Sequence, residues 1–169
     1  MIQYFIGLGS NIEPEKNMLR MIAALFKWSA QVDLSKIYRF APHKIVSDQY
    51  FLNAVVRIES SLSAEALKAQ LVALEETLGR DRSDPNKKIK DRTADLDILF
   101  GLKAGEQAFD LKDLQEEIYV LYPLQDLLLF LDYEMGEKLE NRALKKVNLQ
   151  LGELQIGEKA VSLQKQDQE

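Results

Sequence analysis

The chain has 169 residues, of which 46% are hydrophobic and 29% charged, and its formal net charge is −5. This length and composition fit one globular domain and exclude a mainly disordered chain. Because the sequence has no Cys and a single His, His43, it excludes a disulfide scaffold, a zinc thiolate site, a cysteine nucleophile and a histidine-rich metal cluster. Any metal is therefore expected to have oxygen ligands, as magnesium does.

The distribution of apolar residues predicts neither a secretory signal nor a membrane span. The N-terminal apolar run lacks a basic start, and no apolar run approaches the roughly 20 residues that cross a bilayer. The acidic net charge argues against nonspecific binding of nucleic acid or anionic membranes. We interpret residues 1–145 as one domain and residues 146–169 as a C-terminal extension whose polar end is partly frayed.

The first part of the chain predicts a strand, a helix and two further strands. Tyr4 to Leu8 predict a buried strand, and Gly7 with Gly9 predict a tight turn at its end. The helix that follows has an apolar face at helical spacing, made by Met18, Leu19, Ile22, Leu25 and Phe26. Two strands over Val32 to Phe40 and Phe51 to Ile58 come next, joined by a long polar connection.

A second helix is predicted from a cap, a stripe and a stop signal. Ser63 is a typical helix N-cap and Gly79 a typical residue just past a helix end. Between them lies an apolar stripe formed by Leu67, Leu71, Leu74 and Leu78. Beyond Gly101, residues 118–121 predict a further strand and residues 125–130 a short helix.

Asp95 to Phe100 predict a strand with acids on one face and Leu96, Ile98 and Phe100 on the other. The element order is then β-α-β-β-α-β. This order predicts an α+β, ferredoxin-like core, in which an antiparallel sheet carries two helices on one face.

A basic loop precedes the acidic strand. Residues 80–92 have a local charge balance of +3, and their basic members are Arg80, Arg82, Lys87, Lys88, Lys90 and Arg92. Asp95 and Asp97, two residues apart on a strand, project from one face and can reach one pair of divalent cations. Arginine forks beside them suit phosphate groups. The alternative interpretation is a solvated loop beside an edge strand with two exposed acids.

Asn53 lies in an apolar strand close to Phe51. An amide beside an aromatic ring suits a flat heterocycle with donor and acceptor edges, although an Asn bonded to the backbone fits the pattern too. His43 is interpreted as a residue of a surface loop without a catalytic role.

Four segments, Phe5 to Asn11, Phe51 to Val56, Leu78 to Arg82 and Arg92 to Leu99, occur in a fixed order. Over roughly residues 1–131 this order and spacing resemble the 6-hydroxymethyl-7,8-dihydropterin pyrophosphokinase family of folate synthesis. The resemblance implies transfer of pyrophosphate from ATP to the pterin hydroxymethyl group, release of AMP, and two Mg²⁺ ions. The lack of a secretory signal and of a membrane span predicts a cytoplasmic protein, and the acidic charge predicts no nucleic acid or membrane partner. We expect a monomer that binds the pterin and ATP.

The resemblance further implies roles for individual residues. Asp95 and Asp97 would bind magnesium. The contacts with ATP would come from Arg80, Arg82, Lys88, Arg92 and Ile98. Arg82 and Arg92 would act in catalysis, with Arg82 on a loop that closes over the triphosphate. The pterin would contact Ala41, His43, Phe51, Asn53 and Tyr119, with the aromatic rings on its faces and the amide at its edge.

The sequence departs from the family pattern in two places. Typical members have a Trp before the arginine that matches Arg92, where this chain has Ile89-Lys90-Asp91. They also have a His, an aromatic residue and an Arg at positions that correspond here to Leu111, Lys112 and Glu117. An acid near a triphosphate weakens binding by repulsion. Two alternatives stay open: a catalytically impaired homologue that binds pterin or nucleotide, and a ferredoxin-like RNA-binding module, which the acidic body disfavours.

Overall fold

The structure is a computed structural model that describes residues 1–42, 44–87, 90–106, 110–114, 117–136, 138–139 and 144–168. The strands are β1 (Ile2–Ser10), β2 (Gln31–Leu34), β3 (Tyr38–Phe40), β4 (Phe51–Ser60), β5 (Asp95–Lys103), β6 (Leu149–Leu151), β7 (Leu154–Ile156) and β8 (Val161–Gln164). The helices are α1 (Pro14–Leu25), α2 (Ala64–Thr77) and α3 (Ile118–Phe130).

One antiparallel sheet organises the chain. Its strand order is β5-β1-β4-β2-β8, and β3 pairs with β4 beside β2. The four strands that precede β8 in this order have the arrangement of a ferredoxin-like βαββαβ unit. The prediction of an α+β, ferredoxin-like fold is therefore confirmed. The C-terminal strand β8 adds to the edge of the sheet next to β2, while β6 and β7 form a separate hairpin.

The two faces of the sheet are covered differently. Helices α1 and α2 pack on one face, where the main core contains residues such as Met18, Ile22 and Leu71. Helix α3 packs on the opposite face, where Leu124 and Leu128 join Phe5 and Val55 in a second core. Because α3 covers only part of this face, the ends of β1, β4 and β5 beyond it stay open for the site described below.

The signals that bound the second helix act as predicted. Ser63 Oγ accepts a hydrogen bond from Ala66 N at 3.2 Å, which satisfies one of the free amides of the first turn. Gly79 follows the helix with φ +93°, a conformation that disfavours other residues, and its amide bonds to the Glu76 carbonyl. The chain is thereby turned from α2 into the basic loop.

Two predictions about strands were wrong. Gly7 and Gly9 do not form a turn, because β1 continues through them to Ser10. Val32 to Phe40 is not one strand, since Ser35 interrupts the β4 pairing between β2 and β3: Ser35 N bonds to Val55 O and Val55 N bonds to Ser35 Oγ. The hydroxyl here takes the place of a backbone partner.

The segment 118–121 is helical, so its prediction as a strand was also wrong. Ile118 and Val120 favour strands by propensity, but the segment buries Val120 and Leu121 and continues into the apolar helix that was predicted from residue 125. Packing of this whole surface outweighs the preference of two β-branched residues. The Glu117 carbonyl starts the helix by accepting from Val120 N and Leu121 N.

The predicted face of Phe100 was wrong, because β5 contains a β-bulge. Phe5 pairs with Phe100 while Ile6 pairs with Ile98, so Leu99 is an extra residue in β5. Phe100 therefore lies on the face of Phe5, with ring centroids 4.6 Å apart, rather than on the face of Leu96 and Ile98.

Candidate active site

Two glycines of β1 form the floor of the site. Gly9 pairs with Asn53 on one side and Asp95 on the other, and Gly7 pairs with Val55 and Asp97 in the next row. Side chains in one row point to the same face and lie about 5 Å apart. A Cβ at Gly9 would lie 3.0 Å from Asn53 Nδ2. The bare backbone at Gly9 thus leaves room between an amide and a carboxylate.

A pocket with aromatic walls stands on this floor. It is called the aromatic pocket, and its lining consists of Gly9, Phe40, Ala41, Ile45, Phe51, Asn53, Arg92, Asp95 and Tyr119. Asn53 Oδ1 is buried and has no hydrogen-bond partner within the described part of the chain. A buried acceptor normally has a partner. An amide in the lining can pair with a ligand that carries hydrogen-bonding groups along its edge.

Tyr119 closes the pocket from the side of α3. It lies at the start of this helix and packs against an aromatic group that contains Tyr38, Phe40 and Tyr122. Burial raises the pKa of the Tyr119 hydroxyl, and the nearby Glu117 carboxylate raises this pKa further. The Tyr119 side chain is therefore uncharged and forms one side of the aromatic pocket.

An acidic cleft adjoins the aromatic pocket. Its lining consists of Gly7, Leu8, Gly9, Asn53, Ala54, Arg92, Asp95, Asp97, Leu99, Glu117, Tyr119 and Val120. Five of these residues also line the aromatic pocket, namely Gly9, Asn53, Arg92, Asp95 and Tyr119. A ligand in the pocket and a ligand in the cleft would therefore touch each other.

Asp95 and Asp97 lie on one face of β5 as predicted, but their surroundings differ. Asp95 Oδ1 is 2.8 Å from Arg80 Nη1, and Asp95 Oδ2 is 2.9 Å from Arg92 Nη1. The Asp97 side chain is 61% exposed and lies 3.0 Å from Lys68 Nζ. One carboxylate is thus held by two guanidinium groups, while the other is open to solvent.

These two carboxylates have donor atoms of the kind that magnesium prefers. No cluster of three or more acidic, His or Cys side chains able to hold a metal occurs among the residues that the structure describes. Mg²⁺ is typically bound by one or two carboxylates, with waters and phosphate oxygens as the other ligands. The donor set of Asp95 and Asp97 matches that pattern.

The three predicted phosphate-binding arginines form an arginine corner beside the cleft, together with Glu75 and Asp95. Glu75 is fully buried and pairs with Arg82 through Nε at 2.9 Å and through Nη2. Arg80 Nη1 lies 3.3 Å from the same oxygen. Burial raises the pKa of Glu75, and the Leu96 amide with the two arginines acts in the opposite direction.

Glu75 and Asn11 are site residues that the sequence analysis missed. Asn11 Oδ1 accepts from Arg92 N at 2.8 Å and its Nδ2 donates to Asp91 at 2.7 Å, which fixes the end of the basic loop to the end of β1. The available signal for Glu75 was its position in the leucine stripe, four residues after Leu71.

Other predicted site residues lie apart or outside the described structure. Ile98 is partly buried against the main core, on the face of β5 opposite the carboxylates. His43, Lys88 and Ile89 lie outside the described residues. Glu117 does line the acidic cleft, so the departure from the family pattern at this position falls within the site.

The fold and the site agree with a comparison of the sequence with protein families. Residues 5–129 match the family model described as 7,8-dihydro-6-hydroxymethylpterin-pyrophosphokinase (HPPK). The chain belongs to the HPPK family. The HPPK match runs from within β1 to within α3 and so includes all residues of the aromatic pocket and the acidic cleft.

Several curated relatives are named as pyrophosphokinases or as folate synthesis proteins. A 2-amino-4-hydroxy-6-hydroxymethyldihydropteridine pyrophosphokinase of Campylobacter jejuni is 36% identical over 102 residues, which is 56% of this chain and 60% of that protein. One of Methylorubrum extorquens is 29% identical over 134 residues, 75% of this chain and 83% of the relative. A mitochondrial folate synthesis bifunctional protein of Arabidopsis thaliana is 33% identical over 132 residues, 73% of this chain and 23% of the relative.

The match thus spans less than two thirds of the Campylobacter and Arabidopsis proteins.

Within the described residues, no helix is long and apolar enough to cross a membrane.

Proposed function

We propose that this chain transfers pyrophosphate from ATP to the hydroxymethyl group of 6-hydroxymethyl-7,8-dihydropterin, giving the pterin diphosphate and AMP. The observation that carries this proposal is the shared boundary between the aromatic pocket and the acidic cleft. A flat ring in the pocket would present its substituent to the cleft, where carboxylates and arginines meet. Membership of the HPPK family supports the same reaction.

The pterin would occupy the aromatic pocket. Phe51 and Tyr119 would stack on its two faces, and Asn53 Oδ1 would accept a hydrogen bond from its N–H edge. Ala41 contributes to the wall. A contact with His43 remains a prediction from the family resemblance.

Asp95 and Asp97 would hold two Mg²⁺ ions with the oxygens of the triphosphate. When bound, these ions neutralise the charge that develops on the transferred phosphoryl groups. The role of the two side chains is to fix oxygen ligands at one edge of the cleft. Asp97 can do so at little cost, because its exposed contact with Lys68 is weak.

Arg80, Arg82 and Arg92 would bind the triphosphate and orient its β-phosphorus towards the pterin hydroxyl. Guanidinium forks bind phosphate oxygens in pairs, so they fix orientation as well as charge. The hydroxyl oxygen would bond to the β-phosphorus as the opposite bond from that phosphorus to the oxygen of AMP breaks, and the hydroxyl proton would pass to solvent. The rate would depend on positioning and charge stabilisation. Contacts of ATP with Lys88 and Ile98 remain predictions.

A second candidate function is pterin or nucleotide binding without turnover. Glu117 favours it, because this acid lines the cleft that would receive the triphosphate. For either function we propose a cytoplasmic monomer with small-molecule ligands and no nucleic acid partner.

An assay with protein, Mg²⁺, ATP and the hydroxymethyl dihydropterin distinguishes the two functions. We expect AMP to form in proportion to added pterin. If no pterin-dependent AMP forms but calorimetry shows binding of the pterin or of a non-hydrolysable ATP analogue with Mg²⁺, the second function is correct. If there is no turnover and neither ligand binds, both proposals are wrong.

A further inference from the structure

Glu75 is a buried carboxylate that the proposed reaction does not use directly. Its side chain has no exposed surface, and it does not line the aromatic pocket, the acidic cleft or the cavity beside the basic loop. It occupies a core-facing position of α2, where Leu67 and Leu71 stand in the preceding turns. An acid at this position removes apolar contact and buries a charge, both of which are unfavourable unless the charge is paired.

The contacts of Glu75 join separate parts of the arginine corner. Oε2 accepts from Arg82 Nε at 2.9 Å and lies 3.3 Å from Arg80 Nη1. Oε1 accepts from Leu96 N at 2.7 Å. Because Leu96 lies between Asp95 and Asp97, a single carboxylate connects two arginines to the strand segment that bears both acids.

We propose that Glu75 is a positioning residue that holds Arg80 and Arg82 in place relative to Asp95 and Asp97. This inference rests on the proposed function. A guanidinium group has its donors in one plane, so fixing one edge of it orients the remaining N–H groups. Phosphate transfer depends on such orientation, and small displacements of a contact group lower the rate strongly.

The main test compares Glu75→Gln with Glu76→Gln. Gln preserves the size of the side chain and an oxygen that accepts from Leu96 N, but it lacks the charge that holds the arginines. Glu76 is the next residue of α2 and is exposed, so it is a matched control. We expect kcat to fall by about 100-fold in Glu75→Gln, with the KM for pterin changed by less than about twofold. Equal kcat values for the two variants would overturn the proposal.

A double variant separates positioning from a general structural role. Because Glu75 holds both Arg82 and Arg80, Glu75→Gln should lower kcat less in an Arg82→Gln background than in the wild type, and the loss that remains should reflect Arg80. Losses that multiply would contradict this. The double variant also guards against a folding defect, because it removes the buried acid together with one of its two basic partners.

A spectroscopic measurement tests the contact without substrate. The Arg82 Nε–H, hydrogen-bonded to Glu75, should give a resonance protected from exchange, which Arg82→Gln identifies by its loss. We expect this protection to disappear in Glu75→Gln and persist in Glu76→Gln; persistence in both would show that Glu75 does not hold Arg82. An inactive wild-type protein would contradict the proposed function, whereas this spectrum would still decide on Glu75.

Discussion

The aromatic pocket and the arginine corner share Asp95 and Arg92 but satisfy their polar groups in opposite ways. In the pocket, Asn53 Oδ1 is buried without a partner among the described residues. In the corner, Arg80 and Arg82 are bonded to carboxylates that are largely buried. A flat ligand can therefore fill the pocket by adding contacts, whereas phosphate groups in the corner must share the arginines with carboxylates that already hold them. Within the described structure, the pocket leaves a polar group without a partner, and the corner presents arginines whose orientation is already fixed.

Loss of a magnesium ligand in the acidic cleft should impair catalysis without affecting the aromatic pocket. We expect Asp97→Asn to lower kcat by about 1000-fold, because the charge stabilisation that a metal ion supplies is worth several kcal/mol. AMP formation measures this effect. Pterin affinity, followed by fluorescence, should stay within about twofold, and the melting temperature should hold because the Asp97 ion pair is exposed. Retained turnover would show that Asp97 binds no essential metal.

Removal of the pocket amide should have the opposite pattern. We expect Asn53→Ala to lower kcat/KM for pterin by about 100-fold, since a substrate edge loses its hydrogen-bond partner inside a buried pocket. Binding of a non-hydrolysable ATP analogue with Mg²⁺, measured by calorimetry, should be nearly unchanged. An equal loss for both ligands would mean that Asn53 supports the whole site rather than the pterin edge.

A methyl group on the floor should narrow the pocket. A Cβ at Gly9 would lie 3.0 Å from Asn53 Nδ2, whereas one at Gly7 would meet its nearest atom, of Leu99, at 3.5 Å. We expect Gly9→Ala to raise the KM for pterin by about tenfold, because the amide must shift. Gly7→Ala is the matched control and should change this KM by less than about threefold. Similar values for the two variants would argue against a role of Gly9 in spacing the amide.

The sequence predicted which residues meet at the site better than it predicted how the backbone brings them there. The shared face of Asp95 and Asp97 was predictable because the alternation of side chains along a strand is a local property. The ends of α2 at Ser63 and Gly79 were predictable for the same reason, since they depend on local geometry. The bulge at Leu99 was not predictable, since it depends on how β5 pairs with β1. The two glycines of β1 were interpreted as a turn because glycine permits turns and close approach alike, and only the neighbours Asn53 and Asp95 distinguish these uses.

Long-range packing explains the other differences. The role of Glu75 was not predictable from the sequence, because it depends on ion pairs with Arg80 and Arg82. These arginines approach Glu75 only after Gly79 turns the chain. Likewise, α3 begins at Ile118 because its apolar surface is buried against the sheet. This burial cannot be predicted from the secondary-structure preferences of the residues.

The smallest expected effect concerns Glu117, which places a third carboxylate in the lining of the cleft. Glu117 is partly exposed, so its repulsion of a triphosphate is weakened by solvent. We therefore expect Glu117→Gln to tighten binding of a Mg²⁺-bound ATP analogue by only about threefold. The gain should shrink as salt is added, since screening weakens the repulsion. Glu153→Gln, an exposed change in the turn between β6 and β7, is the control and should leave affinity unchanged. Weaker binding in Glu117→Gln would mean that this acid supports the nucleotide site, for example by holding the start of α3 and with it Tyr119.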